Sequence, residues 1–484
     1  MPEHREGGGE VGFRIRLGDS GMTIVAILVG RLVAWLCRAT GRGGTSLPGA
    51  VVLRFHPDLH AKLARQLPAG VVLITGTNGK TTTSKMLASI LRSAGLRVVR
   101  NVSGANLRQG ITSALIGASS PSGRIEADCA LFEVDEGVAP REVEALRPRL
   151  LLVTNLFRDQ LDRYGELATT ARRLRESITA HLPDTSTLVL NADDPLVAGM
   201  AEHYLGKVRF FGLECPNRSL ADADDASDSD ECEACGHELA YDVRYGSHIG
   251  RWRCPGCGRT RPEPALSVRG AELTRGLEEA LSIEEGQQEP LSLTLRLPGM
   301  YNVANAAAAA CSALALGISR EAVLTGLEST SPAFGRLERV TLPSGKTALL
   351  MLVKNPAGLN EVARLVSEAG GPRPAVVALN DNTADGHDVS WIWDADFERL
   401  RGVIGPVFAS GVRAHDIALR LKYAGIPSDA LTVVPDPRRA LSLAEAAAPA
   451  DGLVYVLPTY TAMLDLRGRL ESEGLVAPFW EELD

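Results

Sequence analysis

From about residue 50 onward, short unbroken apolar runs alternate with stretches in which apolar residues return every three or four positions. The run VVLIT at 71–75 predicts a buried strand, and Met86, Leu87, Ile90, Leu91 and Ala94 after it repeat at helical spacing. Further strands are predicted at 96–100, 130–134, 150–154, 187–190 and 208–211. Continuous apolar strands separated by helical patterns predict a parallel sheet covered by helices.

The pattern breaks at 217–231 (NRSLADADDASDSDE), which is polar, acidic and without periodicity and predicts a solvated connection. Regular structure returns with a strand at 291–297 and an alanine-rich helix at 302–316. A second series of strands is predicted at 347–353, 375–379, 407–409, 431–434 and 453–457. That series is long enough for its own α/β domain, with the boundary near 331–336. The organisation expected is therefore an N-terminal apolar segment (1–44), a central domain (45–330) with an insertion at about 228–262, and a C-terminal domain (331–484). The stretch MTIVAILVGRLVAW at 22–35 is interrupted by Arg31 and shorter than the roughly 20 apolar residues of a spanning helix. It predicts an amphipathic helix that packs on the body or touches a bilayer surface.

Composition changes this picture little. The chain has 484 residues, 45% of them hydrophobic, which suits two or three well-cored domains. A net charge of −8 without a dominant basic block argues against a general nucleic-acid binder. Four of the eight cysteines (Cys37, Cys129, Cys215, Cys311) are scattered, which suits a reducing compartment.

The sharpest chemical signal is TGTNGKTTT at 75–83, between the predicted strand and helix. Backbone N–H groups of a glycine loop at a helix N-terminus cradle phosphate oxygens. Gly76 and Gly79 permit close approach, Lys80 would reach the β and γ phosphates, and the Thr81 hydroxyl would sit on Mg²⁺. Thr77, Asn78 and Thr82 complete the loop. Ile74 stands where the general phosphate-loop pattern has its first glycine. A GKT in a surface turn lacks the flanking strand and helix found here.

The shorter form GTNGKTT resembles the Mur ligase superfamily and the folylpolyglutamate synthases. Other spaced segments are similar to the same superfamily in the same order. The resemblance implies that Glu133 of FEVDE holds Mg²⁺ opposite the phosphate loop. It implies nucleotide- or metal-site roles for Asn155 in TNLFRDQLD, where Gln160 replaces a common metal-binding histidine and puts a second protein-held Mg²⁺ in question. It further implies nucleotide contacts from Asn191 and Asp194 of LNADDP, adenine contact from an asparagine such as Asn302 of PGMYNVAN, and a phosphate-facing Arg336 from FGRLE.

Cys232-x-x-Cys235 and Cys254-x-x-Cys257 lie eighteen residues apart, with Gly236, Gly256 and Gly258 in or beside the turns. This is the spacing of a four-thiolate zinc ribbon, a closed and structural Zn²⁺ site. Arginines nearby invite a nucleic-acid role, but Trp252 is the one aromatic partner within the second pair's approach. A redox pair is the remaining alternative.

Only residues 1–74 precede the phosphate loop, too few for a complete UDP-sugar-binding domain in addition to the apolar segment. Together with the ribbon and the segment NDNTADGHDVSWIWD at 380–394, this resembles the MurT branch of the superfamily, synthetase subunits of lipid II isoglutaminyl synthase. The resemblance implies a central ATPase domain with a parallel-rich sheet and a C-terminal Rossmann-like α/β domain. It implies ATP-dependent amidation of D-glutamate in the lipid II stem peptide, with ammonia from a separate glutamine amidotransferase subunit, GatD. Asp385 or Asp388 would be lent to that partner's Cys–His pair, unless the acidic turn merely caps a helix. The compartment implied is the cytoplasm, at the inner face of the membrane. Two other readings stand beside it: an amino-acid-adding ligase of Mur or folylpolyglutamate type, and a nucleotide-regulated scaffold gripping a partner through the ribbon.

Overall fold

Parallel strands cannot be joined by tight turns, so each return crossing between them must use a longer connection, and the helical patterns supply it. The computed structural model describes residues 19–40, 45–101, 104–157, 167–219, 231–274, 278–330, 336–369, 371–449 and 452–477. In chain order the first strands are β1 (Val71–Thr75), β2 (Val98–Arg100), β3 (Cys129–Glu133), β4 (Leu150–Val153), β5 (Thr187–Asn191) and β6 (Lys207–Leu213). They are followed by β7 (Ala240–Gly246), β8 (Ile249–Arg253), β9 (Leu266–Leu273), β10 (Glu279–Glu285) and β11 (Leu291–Leu295). β7 and β8 form a hairpin of their own, and the rest make one sheet ordered β11-β10-β9-β6-β5-β4-β1-β3-β2. From β2 to β9 in that order the neighbours are parallel, and β10 and β11 add an antiparallel meander.

Alternation along the buried strands sends side chains to two cores. Val72 and Ile74 of β1 pack with Met86, Leu87 and Ile90 of helix Lys80–Ser93 and with the alanines of helix Met300–Ala315. Val71 and Leu73 pack the other way, with Ile111 and Leu115 of helix Arg108–Gly117 and with Ala26 and Ile27 near the N-terminus. Gly326 of helix Arg320–Glu328 crosses Lys80–Ser93 so closely that a Cβ there would lie 2.4 Å from the Ile90 Cα.

The second sheet comprises β12 (Arg336–Thr341), β13 (Thr347–Met351), β14 (Arg373–Ala378), β15 (Ile404–Ser410), β16 (Leu431–Val433) and β17 (Leu453–Pro458). Its order is β12-β13-β17-β14-β15-β16, parallel except for β12 at the edge.

The N-terminal helix runs Asp19–Ala39, longer than its apolar run suggested, and by length and composition Gly21–Ala39 is sufficient to cross a membrane. One strip nevertheless packs on the body: Ala26 and Ile27 are buried, and Arg31 donates to the Ser119 carbonyl at 2.6 Å. On the other side Met22, Val25, Leu28, Leu32, Trp35 and Leu36 are all exposed.

Candidate nucleotide site and thiol cluster

The loop after β1 is shaped by what crowds it. Gly76 and Gly79 have φ of 128° and 83°, where side chains are strained. A Cβ on Gly76 would meet the Thr154 hydroxyl at 2.4 Å, and one on Gly79 would meet Asn305 Oδ1 at 2.1 Å. Gly79 caps helix Lys80–Ser93, so the N–H groups of that first turn face the loop. Asn155 clasps the loop from both sides: its Oδ1 accepts from Asn78 N at 2.8 Å and its Nδ2 donates to Asn78 O at 3.1 Å. The Thr154 hydroxyl donates to Asn78 O at 2.9 Å, and Thr77 N to Asn155 O at 2.9 Å. Asn155 thus holds the loop's backbone in place.

Lys80 is buried and folds back over this loop. Its Nζ donates to Gly76 O, to Glu136 Oε2 at 3.2 Å and to Thr77 O at 3.4 Å, with Asp135 Oδ1 at 3.7 Å. The Thr77 hydroxyl also donates to Glu136, at 3.2 Å. A cation held between two carboxylates is a charge that incoming phosphates can take over. Glu133 ends β3 and is buried; Asn101 fixes its backbone through both side-chain amide atoms. Burial pulls the Arg100 guanidinium down to about 10, and the Glu133 charge opposes that pull. Thr81 is partly exposed beside Lys80, and Thr82 is buried and lines the cavity.

That cavity runs from Asn78, Gly79 and Thr82 across Asn155, Phe157 and Asn191 to Tyr301, Ala304 and Asn305, and is closed by residues of the second sheet's layer such as Lys354 and Arg364. Asn355 Nδ2 reaches Asn78 Oδ1 at 3.3 Å, linking the two halves at the loop itself. Of the PGMYNVAN asparagines, Asn305 lines the cavity. Asn302 lies behind it, donating to Pro298 O at 2.8 Å and accepting from Asn305 Nδ2 at 3.3 Å. Asn191 donates to Thr154 O at 3.0 Å while lining the cavity. Asp194 is fully buried and spent on structure: it caps the short helix at Pro195 and accepts from Leu156 N at 2.9 Å. Arg336 opens β12 opposite Met351, and its side chain lies outside the described residues, as do Gln160 and 228–230 of the insertion.

Asp385 and Asp388 lie in the loop after β14, at the carboxyl edge of the second sheet and outside the cavity lining. Asp385 accepts from the Thr461 backbone N at 2.9 Å and from the Thr461 hydroxyl. Burial raises its carboxyl above the usual range against those two bonds. Asp388 is exposed and accepts from Ser390 N at 2.8 Å, which lowers it.

The four paired cysteines converge, with all sulfurs within 4.8 Å of one another. Cys232 and Cys257 sulfurs are 3.6 Å apart, and those of Cys235 and Cys254 3.4 Å. Gly236 and Gly258 close the two knuckles with φ of 71° and 77°. The Cys257 N–H donates to the Cys254 sulfur and pulls that thiol down to about 6. Four convergent thiols with backbone donors fit a closed tetrahedral metal site.

Sequence reasoning passed over Glu136 and Asn305, both inside motifs it had singled out. Phe157 likewise lies inside one of those motifs, TNLFRDQLD, but nothing pointed to the β7–β8 turn, whose Tyr245, Gly246, Ser247 and Ile249 form one cavity wall.

The Mur ligase middle domain matches residues 74–249, and the MurT ligase C-terminal family matches residues 352–463. The chain is 34% identical over 457 residues to the lipid II isoglutaminyl synthase (glutamine-hydrolyzing) subunit MurT of Streptococcus pneumoniae, covering 94% of this chain and 98% of that one. Against the subunit of the same name from Staphylococcus aureus it is 34% identical, covering 83% and 88%. Among solved structures, a pseudomurein peptide ligase type C from Methanothermus fervidus shares the fold, with a TM-score of 0.61 at 23% identity over 83% of this chain and 78% of that one. So does the Mycobacterium tuberculosis folylpolyglutamate synthase complexed with ADP and AMPPCP, with a TM-score of 0.59 at 18% identity over 93% and 98%. The chain belongs to the MurT family of the Mur ligases.

Proposed function

We propose that this chain is the synthetase subunit that amidates the α-carboxylate of D-glutamate in the stem peptide of lipid II. The observation that carries the reading is near-full-length similarity to MurT subunits combined with a phosphate loop whose lysine is intact and poised. The carboxylate oxygen attacks the γ-phosphorus of ATP, ADP leaves, and an acyl phosphate forms. Ammonia then adds to its carbonyl carbon, loses a proton, and expels inorganic phosphate to leave D-isoglutamine. Lys80 exchanges Glu136 for the phosphates and offsets charge on the transferring phosphoryl group. Asn155 and Thr154 fix the Asn78 backbone, and the N–H groups at the start of helix Lys80–Ser93 are the ones presented to the phosphates. Thr81 and Glu133 are the residues that would hold Mg²⁺, which when bound shields the phosphate oxygens. Asn305 supports the nucleotide from the first turns of its helix, and Arg336 adds positive charge from the second domain.

Ammonia comes in this reading from a separate glutamine amidotransferase of the GatD kind. The turn 385–388 is where that partner docks, with Asp385 or Asp388 orienting its histidine. The four thiolates hold a structural Zn²⁺. The exposed face of the N-terminal helix rests on the cytoplasmic face of the membrane that carries the substrate.

The test is the product mass formed from lipid II, ATP and Mg²⁺ with ammonium, and with glutamine plus the amidotransferase. Amidation replaces a hydroxyl with an amino group and makes the product about one mass unit lighter. A product heavier by an amino-acid residue, or turnover of ATP with no change in lipid II, overturns the reading.

A further inference from the structure

The ribbon's hairpin has two ends, and they do different things. One end carries the thiol cluster, with Trp252 packed against Cys232, Cys254 and Leu239. The other end, at Tyr245–Ile249, is a wall of the nucleotide cavity. Between Cys254 and Ile249 the strand spans about 16 Å at its usual rise. The hairpin is also stitched to the loop after β5: Trp252 Nε1 donates to Ala192 O at 3.0 Å and Gly250 N to Asp193 O at 2.9 Å. At the tip, the Tyr241 hydroxyl donates to His248 O at 3.0 Å, and the His248 ring packs against Phe157 at a tilt of 52° with centroids 4.7 Å apart. Across the cleft, Arg364 of helix Pro356–Ala369 donates to Tyr245 O at 2.5 Å.

We infer that the four-cysteine ribbon is a strut of the nucleotide pocket, so that metal binding at its base and nucleotide binding at its tip are thermodynamically coupled. The inference rests on ATP occupying this cavity. Without a metal the base has four small thiols in place of a rigid four-point junction. The tip then loses its fixed register against Phe157 and Arg364, and the wall it forms is no longer set. Coupling of this sort is reciprocal: if metal strengthens nucleotide binding by some factor, nucleotide strengthens metal retention by the same factor.

The experiment uses the full chain and a non-hydrolysable ATP analogue with Mg²⁺, titrated calorimetrically against zinc-loaded protein. A second sample is stripped by chelator, then dialysed free of it with Mg²⁺ restored. The stripped protein is expected to bind about tenfold more weakly, with recovery on adding Zn²⁺ back. In the reverse direction the analogue is expected to make zinc about tenfold harder to extract with a chromogenic chelator. Tyr241→Phe keeps all four cysteines and the ring that packs beside Cys232 and Trp252, and removes only the stay on the His248 carbonyl. It is expected to keep full zinc content and bind the analogue about fivefold more weakly. That variant decides the matter if stripping also costs the secondary structure seen by circular dichroism. Equal analogue affinity with and without zinc, or an unchanged affinity in a zinc-replete Tyr241→Phe, overturns the strut. Failure of zinc-loaded wild-type protein to bind the analogue overturns instead the nucleotide reading beneath it.

Discussion

The phosphate loop owes its shape to side chains that never touch a phosphate. Asn155 pairs with both backbone groups of Asn78, as a neighbouring strand would, and so fixes a segment that has no sheet partner of its own. Replacing Asn155 with alanine removes both bonds from a loop that is half-buried. The expected result is a loss of about 2 kcal/mol in ATP affinity, or about thirtyfold, read by calorimetric titration. An affinity within twofold of wild type would show that the loop holds its form without the clasp. At this scale the sequence exposed residue types more readily than duties. GKT announced Lys80 and its neighbours because backbone cradling demands glycine and a cation in fixed order. FEVDE offered three acids, and only packing shows that Glu136 meets Lys80. PGMYNVAN offered two asparagines one turn apart, and the helix's orientation decides that Asn305 faces the cavity while Asn302 braces it. LNADDP pointed to Asp194 as a nucleotide residue, whereas its oxygens are committed to a helix cap and to Leu156 N.

Elements meet at points where one residue sets the approach. At the crossing of Arg320–Glu328 with Lys80–Ser93, Gly326 faces backbone atoms of Ile90, which cannot rotate away. Gly326→Ala is therefore expected to destabilise the chain by about 1–3 kcal/mol in urea unfolding, despite alanine's better helix propensity. A stability equal to wild type would mean that the helices slide apart freely. A second junction brings His60, Glu142 and Arg108 together from three helices. His60 Nε2 lies 3.6 Å from Glu142 Oε2, and Arg108 Nε 2.8 Å from Oε1. Burial, with help from Arg108, lowers the His60 imidazole from 6.5 to about 4. The folded state therefore disfavours its protonation, and stability present above pH 6.5 drains away as the pH falls toward 4. Its full weight is on the order of 3 kcal/mol. Burial raises Glu142, which has the opposite sign and offsets part of that loss. Urea midpoints taken from pH 7 to 4 are expected to fall, and to fall less steeply in His60→Leu. Parallel profiles would remove His60 from the cause. The strands buried on both faces were legible because nothing but continuous apolar residues suits them. β9, β10 and β12 were not: they carry charges such as Arg269, Glu284 and Arg339 on a solvated face, and no apolar run marks them.

For the whole molecule, the N-terminal helix presents a problem that the body does not solve. Its inner strip is buried, yet Met22, Val25, Leu28, Leu32, Trp35 and Leu36 expose 41–59% of their surface along one continuous face. Covering what remains is worth on the order of 1 kcal/mol for each side chain, enough together to hold a protein at a bilayer. One edge of the face carries Arg38, whose long stem suits the headgroup level, and Trp35 suits the same depth. Against this stands the net charge of −8, which gives acidic lipids no general hold on the chain. Binding should then be driven by the apolar face and depend weakly on salt, unlike attachment through a basic patch. The full chain is expected to co-sediment with phosphatidylglycerol-containing vesicles at both low and high salt. Leu32→Glu with Trp35→Glu should reduce that binding by more than about tenfold, because two apolar contacts are lost and two charges would enter the interface. The same variant should retain its nucleotide affinity, since these residues face away from the sheet and from the cavity. Co-sedimentation unchanged by the double substitution, or lost simply on adding salt, would move the attachment to some other surface and leave this face to a protein partner.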